Sequence, residues 1–300
     1  LSIFTKVPIM NDLPTQHHKN NSETQSSWGK GLERYDTEET NRLYYTVWGE
    51  SIHFGIRLTD DCTFDQAIVH TKRHIAEALG ITANHHVLEV ASGVGETARF
   101  FAKEYGCTVT ATNISNQHLA TSSEKASHQD LSRRVDNVWA DFHDLPFEDK
   151  TFDGYWVQEG IVHAKDKATV ISEAFRVLKP GGRIVISEQT TETSLMSKDE
   201  QARLAARHGS PDLLNADGFI RLMIDQSFRM IRDDDMSTHL APLFDAIVGR
   251  IEDDYATLTQ DISKHIVDWN LDNWRFGAAK ARDGALGWHI LVAERPSVCG

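Results

Sequence analysis

Val87-Leu88-Glu89-Val90-Ala91-Ser92-Gly93-Val94-Gly95-Glu96-Thr97 is the stretch that decides the fold. Val87, Leu88 and Val90 suit a fully buried parallel strand. The strand pattern then runs into small residues, where Gly93 and Gly95 let the backbone pass close to a ligand that any Cβ would obstruct. Residues Ala98 to Tyr105 read as the following helix, whose first turn directs unpaired N–H groups at a polar ligand. The pattern marks a nucleotide-type cofactor site, although glycines also serve plain strand-to-helix turns.

Upstream, Phe64, Ala67, Ile68, Ile75, Ala78 and Leu79 fall at helical spacing, and Gly80 ends that helix. Downstream, Cys107 to Thr112 alternates as a second strand, and Ser115 caps a helix reaching Ala126. Val135 to Ala140 is a third strand and Phe152 to Gln158 a fourth. Lys167 to Leu178 is an amphipathic helix stopped by Lys179-Pro180-Gly181-Gly182, and Arg183 to Glu188 is a fifth strand. Strands alternating with helices predict a doubly wound parallel α/β sheet, with ligands beyond the carboxyl ends of its strands.

Residues 192–262 carry helical periodicity through Leu195, Leu204, Phe219, Leu222, Ile224, Met230, Leu243, Ile247 and Ile251, which predicts a helical insertion. Trp288 to Ala293 returns to strand character and closes the sheet with one last pair. The sequence thus divides into a flexible arm (1–35), a helical lid (36–80), a cofactor-binding core (81–191), a helical cap (192–262) and terminal strands (263–300).

Composition narrows the partners. A formal net charge of −13 over 300 residues argues against nucleic acid, because phosphate binding relies on a basic surface. Cys62, Cys107 and Cys299 lack metal-ligand spacing and read as free thiols of a reducing, cytoplasmic compartment. No run of about 18 apolar residues and no charged, apolar leader is visible, so neither a membrane span nor a secretory signal is expected.

Five motifs then fall in order: the glycine turn; Asn113 after the second strand; Ala140-Asp141-Phe142-His143-Asp144-Leu145-Pro146-Phe147; Phe152-Asp153; and Phe175-Arg176-Val177-Leu178-Lys179-Pro180-Gly181-Gly182. This ordered set resembles the signature of class I S-adenosylmethionine-dependent methyltransferases. The resemblance implies their Rossmann-like sheet, S-adenosylmethionine as cofactor, and specific tasks for individual residues. Glu89 would anchor the positively charged end of the cofactor, while Ala91, Gly93 and Gly95 form the turn around it. Asn113 and Ile114 would meet the ribose and its surroundings, Asp141 the adenine amino group, Phe142 the ring, and Gln158 the end of the fourth strand. Ala91 and Glu96 depart from the glycines of the usual pattern. For Asp141 the competing reading is a turn cap.

Two shorter segments narrow the group. Trp48-Gly49-Glu50-Ser51-Ile52-His53-Phe54 resembles the aromatic entry segment of the C-methyltransferases that act on sterol side chains, with a looser version in glycine-betaine-forming N-methyltransferases. Glu159-Gly160-Ile161-Val162-His163-Ala164 resembles the acidic-residue-to-His-Ala stretch of the sterol enzymes. An alkene that attacks a sulfonium methyl becomes a carbocation, so its pocket must be apolar, tolerate positive charge and hold a base. Aromatic faces supply the first two. Tyr45, Trp48, His53, Phe54 and Trp156 are the pocket candidates, Tyr44 and Glu159 are catalytic candidates with Glu159 as base, and His163 would face Glu159 to tune it.

The implied substrate is an isoprenoid double bond, such as that of a prenyl diphosphate, with cation-driven cyclisation open. The bacterial terpene C-methyltransferases offer the same comparison. A diphosphate would call for basic groups such as Arg42, His53, Arg57 and Lys165, or for Mg2+. The alternative is N-methylation of glycine, sarcosine or dimethylglycine, where orientation provides most of the rate and a cation would hold the carboxylate. Asp233-Asp234-Asp235 and Glu252-Asp253-Asp254 read as solvated helix ends, so no metal site is expected on the protein itself. The expected partner is a small molecule, and a homo-oligomer is compatible with this reading.

Overall fold

The computed structural model describes residues 37–59 and 61–297. The arm expected at 1–35, and Cys299, lie outside the described residues. Among the described residues seven strands, β1 (His86–Val90), β2 (Thr108–Asn113), β3 (Val135–Trp139), β4 (Phe152–Gln158), β5 (Leu178–Thr191), β6 (Arg229–Asp235) and β7 (Leu286–Glu294), form one sheet in the order β3-β2-β1-β4-β5-β7-β6. The first five pair in parallel, and β7 runs antiparallel to both β5 and β6. This is the doubly wound, Rossmann-like fold that the sequence predicts.

Alternation along the central strands sets the two layers. Val87, Trp156, Val185 and Trp288 face one side of the sheet. Leu88, Tyr155, Ile184 and Leu291 face the other. Ten helices within the described residues accompany them: α1 (Glu38–Trp48), α2 (Phe64–Leu79), α3 (Glu96–Tyr105), α4 (Asn116–His128), α5 (Lys167–Val177), α6 (Lys198–His208), α7 (Ala216–Asp225), α8 (Leu240–Asp253), α9 (Tyr255–Asp261) and α10 (Lys264–Arg282). The first layer holds the apolar faces of α1, α2, α3, α8 and α10, the second those of α5 and α7. Thr63 opens α2 with a capping box to Gln66, and Gly80 closes it in the left-handed region at φ 65°. Helix α2, read as part of a lid, therefore packs as a core helix against the sheet.

The carboxyl-terminal third differs from the sequence reading. Residues 229–235, expected to be helical, are the edge strand β6, and the segment after 262 contributes the long helix α10 and one strand rather than a terminal strand pair. Charge explains the edge: Asp233 pairs with His289 at 2.6 Å and Asp234 with His74 at 2.8 Å. A strand dressed in charged side groups shields its open backbone from other molecules. Asp233-Asp234-Asp235 is thus strand, not helix end, and Met230 falls on the helical period by coincidence. Lys179-Pro180-Gly181-Gly182 is likewise carried within β5 rather than in a loop.

Candidate active site

Strands β1 and β4 are neighbours at the point where the sheet order reverses, and their carboxyl ends open a crevice there. The turn after β1 bends through the left-handed region at Ala91 (φ 55°), Gly93 (φ 54°) and Gly95 (φ 67°). A Cβ on Gly93 would enter open space, whereas one on Gly95 would lie 2.0 Å from Ser122 Oγ. Gly93 therefore keeps room for a ligand, and Gly95 serves packing against α4. Ala91 holds a conformation that costs a non-glycine residue about 1–2 kcal/mol. Its Cβ fits because residue 160 is glycine, since a Cβ at Gly160 would come within 2.8 Å of it.

Glu89 ends β1 almost completely buried. Burial first, and then the negative charge of Glu96, push its carboxyl up to about 8, against the pull of the Trp156 indole, Arg99 and Lys72. Glu96, the second departure from the family pattern, forms an ion pair with the buried Lys72. Arg99 donates to Val94 O and reaches Glu50 at 3.2 Å, which also holds Lys125 at 2.6 Å. Glu50 thus ties the segment after α1 to both α3 and α4. Partial burial pushes the Glu50 carboxyl up, but its bonds to Lys125 and Arg99 outweigh that and hold it below the usual carboxylate range.

Glu89 Oε2, Ser92 Oγ and both amide atoms of Gln158 are buried without a hydrogen-bond partner. Such groups cost about 1–3 kcal/mol each when left unpaired. Four of them at the ends of two adjacent strands therefore call for a polar ligand with donors and acceptors, as the methionine end of S-adenosylmethionine provides. A narrow cleft of about 40 Å³ is lined by Ser92, Gly93 and Val94 together with Tyr45, Ile52 and His53.

A raised Glu89 pKa sets a pH dependence. The folded apo protein holds this proton between the unfolded value of 4.5 and about 8, so the group's contribution to stability falls as pH rises through that window. A cationic ligand group that pairs with the anion must displace the proton. Affinity for S-adenosylhomocysteine should therefore rise with pH below about 8, and Glu89→Gln should flatten the slope; calorimetry at several pH values reads both.

The expected ribose and adenine residues gather on the other side of the turn, already engaged in their own loops. Asn113 Oδ1 accepts from Ser115 N at 2.8 Å, and the Ile114 carbonyl accepts from Trp139 Nε1 at 2.8 Å. Asp141 Oδ1 accepts from His143 N at 2.9 Å and from His143 Nδ1 at 2.8 Å, so it caps its own loop. Phe142 is half-buried, with its ring 4.8 Å from that of His143.

Glu159 follows β4 at φ 50°, a second strained non-glycine residue at the same crevice. Its Oε2 lies 2.8 Å from His53 Nδ1, and its Oε1 accepts from Ser187 Oγ at 2.6 Å. Ser187 Oγ accepts in turn from Trp288 Nε1 at 2.9 Å. The expectation that His163 tunes Glu159 is corrected: His163 Nδ1 donates to the carbonyl of His208 at 2.7 Å, and His53 takes the place beside the carboxylate. His163 sits at the end of the short 3-10 turn Ile161–His163. Glu188 pins that turn by accepting from Val162 N at 3.1 Å and from Gln189 N at 2.9 Å. Burial, reinforced by the charge of Glu159, raises the Glu188 carboxyl to about 8. Ser187 and Glu188 are not singled out by any sequence motif, although the carboxyl end of the fifth strand is signal enough to find them.

A wall of aromatic rings packed on one another within the core ends beside the Glu159 carboxylate at Trp288. Tyr44 and Trp48 meet Trp274 of α10 at 6.4 and 5.4 Å, Trp274 meets Phe244 of α8 at 5.3 Å, and Phe54 joins Phe244 at 5.8 Å to Trp288 at 5.5 Å. The Tyr44 hydroxyl donates to Asn270 Oδ1 at 3.2 Å, which places this catalytic candidate in the wall. Trp156 is fully buried beneath α3, 4.8 Å from Phe101, with its indole beside Glu89 rather than beside Glu159. Phe244, Trp274 and Trp288 escape the sequence reading because they lie far from the motifs. Among the described residues no group of three or more His, Cys, Asp or Glu could hold a metal ion, and no helix is long and apolar enough to cross a membrane.

Residues 88–186 match the family model described as a methyltransferase domain. The sarcosine/dimethylglycine N-methyltransferase of Aphanothece halophytica is 29% identical over 268 residues, covering 87% of this chain and 95% of that protein. The sterol 24-C-methyltransferase of Schizosaccharomyces pombe is 30% identical over 205 residues, 67% of this chain and 54% of that protein. The chain spans about half the length of a further relative, the glycine/sarcosine/dimethylglycine N-methyltransferase of Actinopolyspora halophila, at 27% identity over 87% of this chain and 46% of that protein. A solved structure from Galdieria sulphuraria, described as a putative sarcosine dimethylglycine methyltransferase, superposes with a TM-score of 0.78 at 21% identity, over 85% of this chain and 98% of that one.

Proposed function

We propose that this protein, which is a class I S-adenosylmethionine-dependent methyltransferase, methylates a carbon of an isoprenoid double bond. The observation that carries this reading is the aromatic wall ending on a carboxylate held by His53 and Ser187. The bound cofactor supplies an electrophilic methyl group on a positively charged sulfur. Glu89, Ser92, Gly93 and Gln158 hold its methionine end, and Asn113, Ile114, Asp141 and Phe142 border the nucleoside. The π electrons of the substrate form the new C–C bond as the methyl–sulfur bond breaks, and Phe54, Phe244, Trp274 and Trp288, packed behind the Glu159–His53 pair, exclude water from that side of the cation and surround it with aromatic rings. The Glu159–His53 pair then receives the proton from the neighbouring carbon, whose C–H electrons restore a double bond, unless another double bond attacks the cation first.

If the substrate is a prenyl diphosphate, its headgroup must be met by cations at the pocket mouth or brought in with Mg2+. Free thiols at Cys62 and Cys107 fit a cytoplasmic setting. A second reading, N-methylation of a small amino acid, is favoured by relatives such as that of Aphanothece halophytica. Incubation with methyl-labelled S-adenosylmethionine and two panels separates them: geranyl and farnesyl diphosphate with and without Mg2+, and glycine, sarcosine and dimethylglycine. Label in a prenyl product, read by mass spectrometry, is the expected result; label confined to the amines would replace the proposal with the second reading.

A further inference from the structure

We infer that His53 Nε2 is the atom that takes the substrate's proton, and that Glu159 is the positioning carboxylate behind it. The inference deepens the proposed function and rests on it for the identity of the proton, but its chemistry is set by the hydrogen-bond directions.

The indole N–H of Trp288 can only donate. Ser187 Oγ accepts that bond and has one proton to give, and the bond it completes is to Glu159 Oε1 at 2.6 Å. Ser187 is fully buried, so turning its proton elsewhere would leave a buried hydroxyl hydrogen without an acceptor. Glu159 Oε1 is thereby engaged as an acceptor. An ionised carboxylate offers no proton, so the 2.8 Å contact to its Oε2 requires that His53 carry a hydrogen on Nδ1. The neutral ring then has its lone pair on Nε2. Among the described residues Nε2 has no hydrogen-bond partner, and the ring borders the cleft above Ser92, Gly93 and Val94.

Both oxygens of Glu159 are thus occupied by donors, while the ring they orient keeps a bare nitrogen and lines the ligand crevice. A carboxylate that fixes the tautomer of a histidine and stabilises its cation is an effective arrangement for a general base. The other titratable groups facing the pair are Tyr45, Glu50, Glu96 and His118 around the cleft, and Glu188 behind Glu159. In the step itself a C–H bond of the methylated cation breaks, its electron pair forms the new π bond, and the proton joins Nε2. The imidazolium, paired with the Glu159 anion, returns that proton to water when product leaves.

Two measurements test this. The first is the nitrogen spectrum of imidazole-labelled protein saturated with S-adenosylhomocysteine, with His53 assigned by its loss in His53→Asn. At a mildly alkaline pH the wild-type ring should show hydrogen on Nδ1 and a bare Nε2, and Glu159→Gln should release that preference toward the other tautomer. A wild-type ring with hydrogen on Nε2 and a bare Nδ1 would overturn the inference whatever the substrate proves to be.

The second is turnover with methyl-labelled cofactor. His53→Asn retains an N–H in the place of Nδ1–H but has no Nε2, so it should lose about 10²-fold or more in kcat while S-adenosylhomocysteine binds within about threefold of wild type. His53→Asn turning over at near wild-type rate, with the fold intact by circular dichroism, would overturn it too. The expected tautomer combined with no label in the prenyl panel would sink the proposed function and leave the assignment of the base standing.

Discussion

Glu159→Gln is expected to lower kcat by about 10²–10⁴-fold while leaving the affinity for S-adenosylhomocysteine within about threefold. The amide can keep a bond to Ser187 through its oxygen, but it presents either a neutral acceptor or an N–H to His53, and neither supports an imidazolium. The carboxylate has an expensive setting: a non-glycine residue at φ 50°, its side chain 12% exposed, with the buried Glu188 behind it. Strain and burial of this kind collect where the surroundings over-determine a functional geometry. The proposed cofactor contacts run through Glu89 and the glycine turn instead, so the two measurements should separate. Steady-state kinetics and calorimetry on the same preparation check the result, and parallel losses in both would assign Glu159 a structural role only.

The second large effect is expected at Gly160→Ala, and it should be reversible. The added Cβ would meet Ala91 Cβ at 2.8 Å and Val157 Cγ2 at 3.0 Å. Ala91 cannot retreat without moving the turn proposed to hold the cofactor, nor Gly160 without moving Glu159. Overpacking of this kind typically costs about 1–3 kcal/mol, and cofactor affinity should fall at least about tenfold. Adding Ala91→Gly removes one of the two clashing methyl groups and suits φ 55° better than alanine does. The double variant should therefore recover most of the affinity and melting temperature, a coupling that a thermodynamic cycle measures directly. Additive losses would mean that the two backbones are not in contact as described.

That pair of positions also explains a departure from the family pattern. In the sequence Ala91 stands where the family pattern has a glycine; in the structure it is matched by Gly160 across the β1–β4 crevice. Glu96, the other departure, is a charge beside the turn that the buried Lys72 pairs with. Both compensations come from other elements, so the turn alone could not reveal them. The helical reading of 229–235 fails for a related reason: an edge strand carrying charges has no apolar alternation, and the β7 partner that makes it a strand lies 51 or more residues onward.

Local patterns are enough for the strand-turn-helix at 86–105, the succession of the first five strands along the chain, the doubly wound sheet and the methyl-donor class, because burial period and turn chemistry are written within a few consecutive residues. The base and its pocket are not written that way. His53 meets Glu159 across 106 positions, Ser187 meets it across 28, and Trp288 meets Ser187 across 101. Which strand neighbours which, and which side of the sheet each side group takes, sets those contacts. Only tertiary packing can therefore choose His53 over His163 as the partner of Glu159, and only it can bring Phe244, Trp274 and Trp288 to the wall beside them.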